Sequence, residues 1–155
     1  MTEKIWIYVL GKMLNSAELQ QFLVNCKNFT SSWTAHDQPL SASFELYKNR
    51  LLIVKVDETA YNASGCSIDK LQRFIQTQEK EFDIQLLNRL LVALEVNGDL
   101  LITPSAKIKE MLSEGIINEN TLVYDTAVST SEELKNWQKP LKATWLNKYR
   151  EGISG

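Results

Sequence analysis

The spacing of apolar residues changes along the chain and predicts an alternation of strands and helices. Residues 5–10 are mostly β-branched or aromatic, which indicates a buried strand. Over residues 19–29, apolar side chains recur every three or four positions, and Asn15 or Ser16 stands where an N-cap is needed. We therefore expect an amphipathic helix whose buried stripe includes Cys26.

Two pairs of short apolar segments and a second helical pattern follow. A polar turn separates the members of each pair, and the later turn contains Asn-Gly, the strongest local signal for a hairpin. Between the pairs, apolar residues from 68 to 82 return to helical spacing. The strand pairs are residues 43–47 with 51–56, and residues 91–96 with 100–103.

The resulting order, β-α-β-β-α-β-β, predicts an α+β fold with an antiparallel sheet. Its first six elements match the ferredoxin-like, split βαβ topology, with helices on one face of the sheet. The alternative is a different α+β sheet that also carries its helices on one face.

The last third of the chain predicts a helical C-terminal extension. Pro104 can open a helix, and Thr130 with Glu133 forms a capping box ahead of another helix that Pro140 would end. Residues 122–124 indicate one more short strand. We expect the aromatic residues of the extension in the core, unless an exposed subset forms a partner surface. The expected organisation is a single α+β domain over residues 1–150 and a frayed tail over residues 151–155.

Composition and charge exclude several classes of function. The chain has 155 residues, a net charge of −2 and scattered Lys and Arg, so no nucleic-acid surface is expected. Its apolar runs are too short to cross a bilayer or to act as a secretory leader, so no membrane association is expected. Two cysteines, Cys26 and Cys66, are typical here of a cytoplasmic protein with free thiols. No cofactor is expected, and the oligomeric state is left open.

The connection from Asp57 to Gly65 is the strongest candidate for a functional site. It has nine residues, whereas strand-to-helix connections usually have about 2–6. Unpaired N–H groups at the start of a helix can hold a carboxylate or phosphate, and a glycine there allows close approach. The candidate ligand-binding residues are Trp33, Asn62, Ser64, Gly65, Ser67 and Asp69.

Cys66 is a candidate nucleophile, because the start of a helix stabilises a thiolate. The only histidine, His36, would be its base, and Asp57 would orient the imidazole. Nearby carboxylates, including Glu58 and Asp69, work against an anion at this position. With Asp57 they suggest a Mg²⁺ site as a further alternative, although a three-ligand zinc site is not expected from one histidine.

A purely structural interpretation accounts for the same residues. In it, Ser64 or Ser67 is only the N-cap of the helix, and Gly65 is a backbone bend. Cys66 would then be a small buried residue and His36 a surface residue, with Cys26 structural in either interpretation.

Several stretches resemble a family of short, uncharacterised bacterial proteins. They are WTAHDQPL at 33–40, the segment 41–44, VDE at 56–58, ASGCSID at 63–69, and the ending from 136 to 146. Some members carry the label "ABC transporter ATPase", but this chain has no G-x-x-x-x-G-K-[ST] phosphate loop and is too short for a complete nucleotide-binding domain. The resemblance therefore implies no catalytic residues.

Two functions compete at this stage. The first is a non-catalytic module that uses the 57–69 loop to bind a small anionic molecule or a protein partner. The alternative is a thiol-dependent enzyme for acyl or thiol transfer, with Cys66 as nucleophile and His36 as base. The acids around Cys66 favour the module.

Overall fold

The computed structural model describes residues 3–59 and 61–152, which form antiparallel sheets and the helices that cover them. The strands are β1 (Glu3–Val9), β2 (Thr34–Ala35), β3 (Gln38–Pro39), β4 (Ser41–Tyr47), β5 (Leu51–Asp57), β6 (Leu91–Val96), β7 (Asp99–Pro104), β8 (Leu122–Tyr124) and β9 (Gln138–Pro140). The α-helices are α1 (Ser16–Ser32), α2 (Gly65–Phe82), α3 (Ile108–Ser113) and α4 (Ser131–Leu134), and 3-10 turns cover Ser105–Lys107, Leu141–Ala143 and Trp145–Arg150.

The first sheet has the order β1-β5-β4, and its neighbouring strands are antiparallel. Alternate side chains point to one face, where Tyr8 of β1 joins a buried cluster with Phe22 of α1 and Ile75 of α2. Helices α1 and α2 therefore cover one face of this sheet. The predicted N-cap of α1 is confirmed, since Asn15 Oδ1 accepts the Glu18 N–H at 2.8 Å in a capping box.

The second sheet has the order β7-β6-β8-β9 and is antiparallel throughout. Asn97 and Gly98 turn β6 into β7 with φ values of 53° and 82°, the left-handed conformation that tight hairpin turns require. The predicted Asn-Gly hairpin is thus confirmed. One face of this sheet packs Leu94 against Ile108 of α3 and against Leu146.

The second sheet meets one end of β1, and the segment that follows β8 meets the other end. At one end, Val9 shares a buried cluster with Ala93 of β6 and Tyr124 of β8. At the other end, the Ile5 N–H donates to the Ser129 carbonyl at 2.9 Å. A cleft opens along the edge of β1 where the sheets separate.

The α+β class with antiparallel sheets is confirmed, but the ferredoxin-like topology is not. In the first sheet, β5 lies between β1 and β4, as the split βαβ order requires. Among the described residues, however, β6 pairs with β7 and β8 in the second sheet and not with β1. The tight turn to β7 and the return of β8 give β6 a partner on each side, and the edge of β1 instead bonds to Ser129 and Thr130.

The helical C-terminal extension is not confirmed either. Its N-cap is present, because Thr130 Oγ1 accepts the Glu133 N–H at 3.2 Å, although the Glu133 carboxylate accepts the N–H of Ser129 and not that of Thr130 as a full capping box requires. Helix α4 nevertheless ends at Leu134, well before Pro140, and β9 follows it. Extended backbone prevails here because β8 offers an edge with which β9 can pair. After β9 the chain forms 3-10 turns instead of an α-helix.

Smaller differences concern loops and termini. Residues 33–40, expected as a plain loop, contain the two-residue hairpin of β2 and β3. Pro104 ends β7 one residue before a 3-10 turn and does not itself begin a helix. Of the tail predicted to fray, residues 153–155 lie outside the described residues. No helix in the described part of the chain combines the length and apolarity needed to span a bilayer.

Candidate functional site

The loop at 58–64 joins β5 to α2, and its polar groups bond one another. Glu58 Oε2 accepts the Ala63 N–H at 2.8 Å. At the helix start, the Ser67 N–H donates to Ser64 Oγ at 3.2 Å, and the Ser64 N–H donates to Ser67 Oγ at 2.7 Å. The interpretation in which a serine caps this helix is therefore confirmed.

The carboxylate of Asp57, at the end of β5, is engaged by the turn that follows it. Its Oδ1 accepts both the hydroxyl and the N–H of Thr59, the latter at 2.9 Å. These hydrogen bonds hold the pKa of Asp57 below its ordinary value. Among the described residues, no three His, Cys, Asp or Glu side chains come together, and the Mg²⁺ alternative stays a prediction.

The hairpin of β2 and β3 packs against the first turns of α2. Trp33 is buried, and its Nε1–H donates to the Ser67 carbonyl at 2.8 Å. Lys70 Nζ donates to Thr34 Oγ1 at 3.0 Å. The two segments that the sequence singles out are therefore neighbours in the fold.

His36 and Cys66 both lie at the surface. His36 occupies the turn between β2 and β3 with a φ of 50°. Cys66 is exposed, so its interpretation as a buried residue is wrong, whereas Cys26 is buried as predicted. Burial raises the pKa of the Cys26 thiol to about 12. Among the described residues no hydrogen bond joins His36 to Cys66 or Asp57, and the catalytic arrangement stays a prediction.

The predicted ligand-binding residues differ in their exposure. A Cβ added at Gly65 would meet no atom within 4 Å, so the surroundings leave room for a side chain there. The buried residues support the helix start, and a ligand-binding role for the loop stays a prediction. Asn62, Gly65 and Asp69 are exposed, and Ser64 is half-buried. Trp33 and Ser67 are buried.

A cleft of about 630 Å³ lies along the edge of β1, and we call it the edge cleft. Residues 4–7 of β1 form one side, and residues 123–129 and 91–92 of the second half of the chain form another. Ile68, in the first turn of α2, and residues 143–145 also line it. This volume is within the range of roughly 300–1,000 Å³ that small-molecule sites occupy.

The charged side chains of the edge cleft are mostly cationic. Lys4, Arg89 and Lys139 line it together with a single carboxylate, that of Asp125. Lys139 Nζ lies 2.6 Å from Asp125 Oδ2, so these two groups compensate each other. Within the described part of the chain, Lys4 and Arg89 form no ion pair with a carboxylate. The cleft is therefore locally positive in a chain whose net charge is −2.

Contacts with β1 hold Arg89 at the sheet edge. Its Nη1 donates to the Ile7 carbonyl at 3.4 Å, and its Cζ lies 5.9 Å from the centre of the Tyr8 ring. Burial raises the pKa of Tyr8 to about 12, while the charge of Arg89 acts in the opposite direction. The guanidinium is thus positioned by an uncharged carbonyl and a ring, and no carboxylate of the described residues pairs with its charge.

Two indole rings from different elements line the edge cleft. Trp6 of β1 makes an edge-on contact with Trp33, with ring centres 5.8 Å apart. Trp145 lies at the other end of the chain and is 50% exposed. The prediction that the aromatic residues of the C-terminal segment lie in the core is therefore wrong for Trp145.

Sequence reasoning missed the edge cleft because its residues come from distant segments. Lys4 and Lys139 stand near opposite ends of the chain, and nothing in the local pattern brings them together. The one local signal was the expectation that some C-terminal aromatic residues could stay exposed.

Comparison with known proteins gives no assignment. The chain matches no protein-family model, no curated protein and no solved structure. The resemblance to short bacterial proteins stays a prediction, and the functional argument depends on the geometry of the site.

Proposed function

We propose that this protein is a non-catalytic module that binds a small anionic molecule in the edge cleft. The observation that carries the proposal is that, within the described residues, Lys4 and Arg89 line a cleft of ligand size without a carboxylate partner. An anion between them would accept charge-assisted hydrogen bonds, which are about twice as strong as neutral ones. The apolar walls around these groups lower the local dielectric and strengthen the attraction.

The dimensions of the cleft suit a small molecule. Its volume of about 630 Å³ is that of a site for one compact ligand. Aliphatic side chains such as Val92 and Val123 would cover the apolar part of that ligand.

The 58–64 loop and the first turn of α2 have a supporting role in this proposal. Ser64 and Ser67 fix the first turn of α2, and that turn carries Ile68 into the cleft. The bond from Trp33 to the Ser67 carbonyl ties the same turn to the neighbouring hairpin. The loop thus positions one wall of the cleft through its internal hydrogen bonds.

Calorimetric titration with glutarate and with inorganic phosphate tests the proposal. Wild-type protein should bind at least one of these anions, and Arg89→Gln and Lys4→Gln should each weaken that binding by about 10- to 100-fold, the value of a charged hydrogen bond. Lys109→Gln is the matched control, because it removes an exposed cation of α3 that does not line the cleft.

Two results would overturn the proposal. In one, wild-type protein binds neither anion at millimolar concentration. In the other, Arg89→Gln and Lys4→Gln bind as tightly as the Lys109→Gln control.

A second candidate function is thiol chemistry at Cys66. The observation in its favour is an exposed sulfur in the first turn of an 18-residue helix, where the dipole stabilises a thiolate. Cys66 would be the nucleophile and His36 its base. If so, His36→Ala should slow the alkylation of Cys66 by iodoacetamide near neutral pH, and an unchanged pH profile would contradict the pairing.

A further inference from the structure

Trp145 is held in an exposed position by the backbone on either side of it. Its neighbour Leu146 is fully buried and anchors the chain in the core of the second sheet. Thr144 accepts the Leu146 N–H at 3.2 Å and donates its hydroxyl to the Leu141 carbonyl at 2.8 Å. With this turn fixed, the indole of Trp145 has to point outward.

The Trp145 ring is braced from the side. Its centre lies 6.2 Å from that of Tyr149 in an edge-on arrangement. Lys148 Nζ lies 5.3 Å from the centre of the Trp145 ring and 5.2 Å from that of Tyr149, within the range of cation–π contacts. These contacts hold the indole as a flat, preorganised wall and add a cation near the cleft.

Trp6, on β1, is also held by a contact with a neighbouring ring. It contacts Trp33 edge-on at 5.8 Å, and Trp33 is itself fixed by its bond to the Ser67 carbonyl. The edge cleft is therefore lined by two indoles that contact neighbouring rings, together with Lys4 and Arg89, which have no carboxylate partner in the described part of the chain. Flat rings gain most from stacking against flat partners, by about 0.5–1.5 kcal/mol beyond simple burial.

From this combination we infer that the ligand is a planar aromatic anion, a carboxylate or a phosphate ester, whose ring lies against Trp145. The inference rests on the proposed function and specifies its ligand class. The anionic group meets Arg89 and Lys4, and the ring covers the indole face that the protein leaves exposed.

Calorimetry with three probes tests the ligand class. The probes are benzoate, phenyl phosphate and cyclohexanecarboxylate, which matches benzoate in carbon number but has no planar ring. We expect an aromatic probe to bind about 2- to 13-fold more tightly than cyclohexanecarboxylate, and the tighter of the two aromatic probes identifies the anionic group. Trp145→Leu should remove the aromatic preference and leave the affinity for cyclohexanecarboxylate within about twofold of wild type, because only stacking is lost.

Tyr61→Leu is the matched control, since Tyr61 is an exposed aromatic residue of the 58–64 loop, and it should preserve the preference. Equal affinity for planar and non-planar anions would overturn the inference, as would a Trp145→Leu variant that weakens all probes alike. If cyclohexanecarboxylate still bound in an Arg89-dependent manner, the proposed function would stand without the aromatic specificity. If no probe bound, the inference would fail, and the titrations with glutarate and inorganic phosphate would decide the proposed function separately.

Discussion

The 58–64 loop and the edge cleft both adjoin the first turn of α2, yet their polar groups differ in what they bond to. In the loop, Asp57, Glu58 and the two serines of the capping box bond to neighbouring loop residues. In the cleft, Lys4 and Arg89 have no carboxylate partner within the described residues. Polar groups that satisfy one another stabilise a fold, whereas unpaired charges beside a cavity can bind something else.

This difference explains why loop length and composition indicated one site and geometry indicates another. A long strand-to-helix connection rich in hydroxyls and acids has the composition of a ligand loop. The same hydroxyls and acids also serve to cap a helix and close a turn, and only coordinates distinguish the two uses. If the comparison is correct, changes in the loop alter stability, and changes in the cleft alter binding.

The largest expected effect separates the two cysteines. Cys66 is exposed in the first turn of α2, whereas Cys26 lies on the buried face of α1 with its pKa raised to about 12. Alkylation of Cys26 requires global opening, so iodoacetamide should modify Cys66 at least about 10³-fold faster in native protein. Mass spectrometry of a time course measures both rates. Comparable rates would show that the packing around Cys26 is not as described.

A loop-side mutation should destabilise without affecting the cleft. Ser67 is fully buried and forms both bonds of the capping box, so Ser67→Ala should lower the free energy of unfolding by about 1–2 kcal/mol. Denaturant titration measures the loss. Thr77→Ala is the control, because that hydroxyl is exposed and bonds only within α2. A large loss of glutarate affinity in the Ser67 variant at temperatures where it stays folded would break the separation between the two regions.

A substitution at Gly65 should change the free energy of unfolding by less, and in the opposite direction. An added Cβ meets open space and the backbone is not in the left-handed region, so Gly65→Ala should raise the free energy of unfolding by about 0.4–1 kcal/mol. Gly98→Ala should do the reverse, because its φ of 82° disfavours a side chain. Thermal melts of the two variants measure both changes in stability. Weaker anion binding by the Gly65→Ala variant would indicate that the ligand site lies in the loop and not in the edge cleft.

The smallest effect is a dependence of stability on pH. The pKa of Asp57 is lower in the folded chain than its ordinary value of 3.8, because Thr59 donates to the carboxylate. This contribution to stability is therefore complete above pH 3.8 and is lost as the pH falls through the lowered pKa. Thr59→Val, which keeps only the backbone donor, should reduce this acid sensitivity in denaturant titrations. Thr77→Val should leave it unchanged, and equal responses would contradict the assignment.

Local features of this fold were predictable and its long-range arrangement was not. The cap of α1 at Asn15 and the turn at Asn97 follow from interactions among adjacent residues, which a sequence displays directly. The choice of β6 to pair in a second sheet depends on competition among distant strands, and no local spacing encodes it.

In the candidate site, too, the local features could be predicted from the sequence and the long-range contacts could not. The contact between Trp33 and the start of α2 lies between two segments that the sequence singled out, although their meeting could not be read from spacing. The pairing of Lys139 with Asp125, which leaves Lys4 and Arg89 unpaired, depends on the register of β8 with β9 and on the divergence of the two sheets. Charge scattered in sequence becomes a charge cluster only after folding.

The most direct test of the account is a chemical-shift map of ¹⁵N-labelled protein titrated with glutarate or inorganic phosphate. The account predicts that the amides of β1 from 4 to 7, of Arg89 and of the 125–129 segment shift in a saturable way. The amides of residues 62–67 should stay in place. Saturable shifts centred on Ser64, Gly65 and Cys66, with the β1 amides unmoved, would contradict the account and place anion binding in the loop.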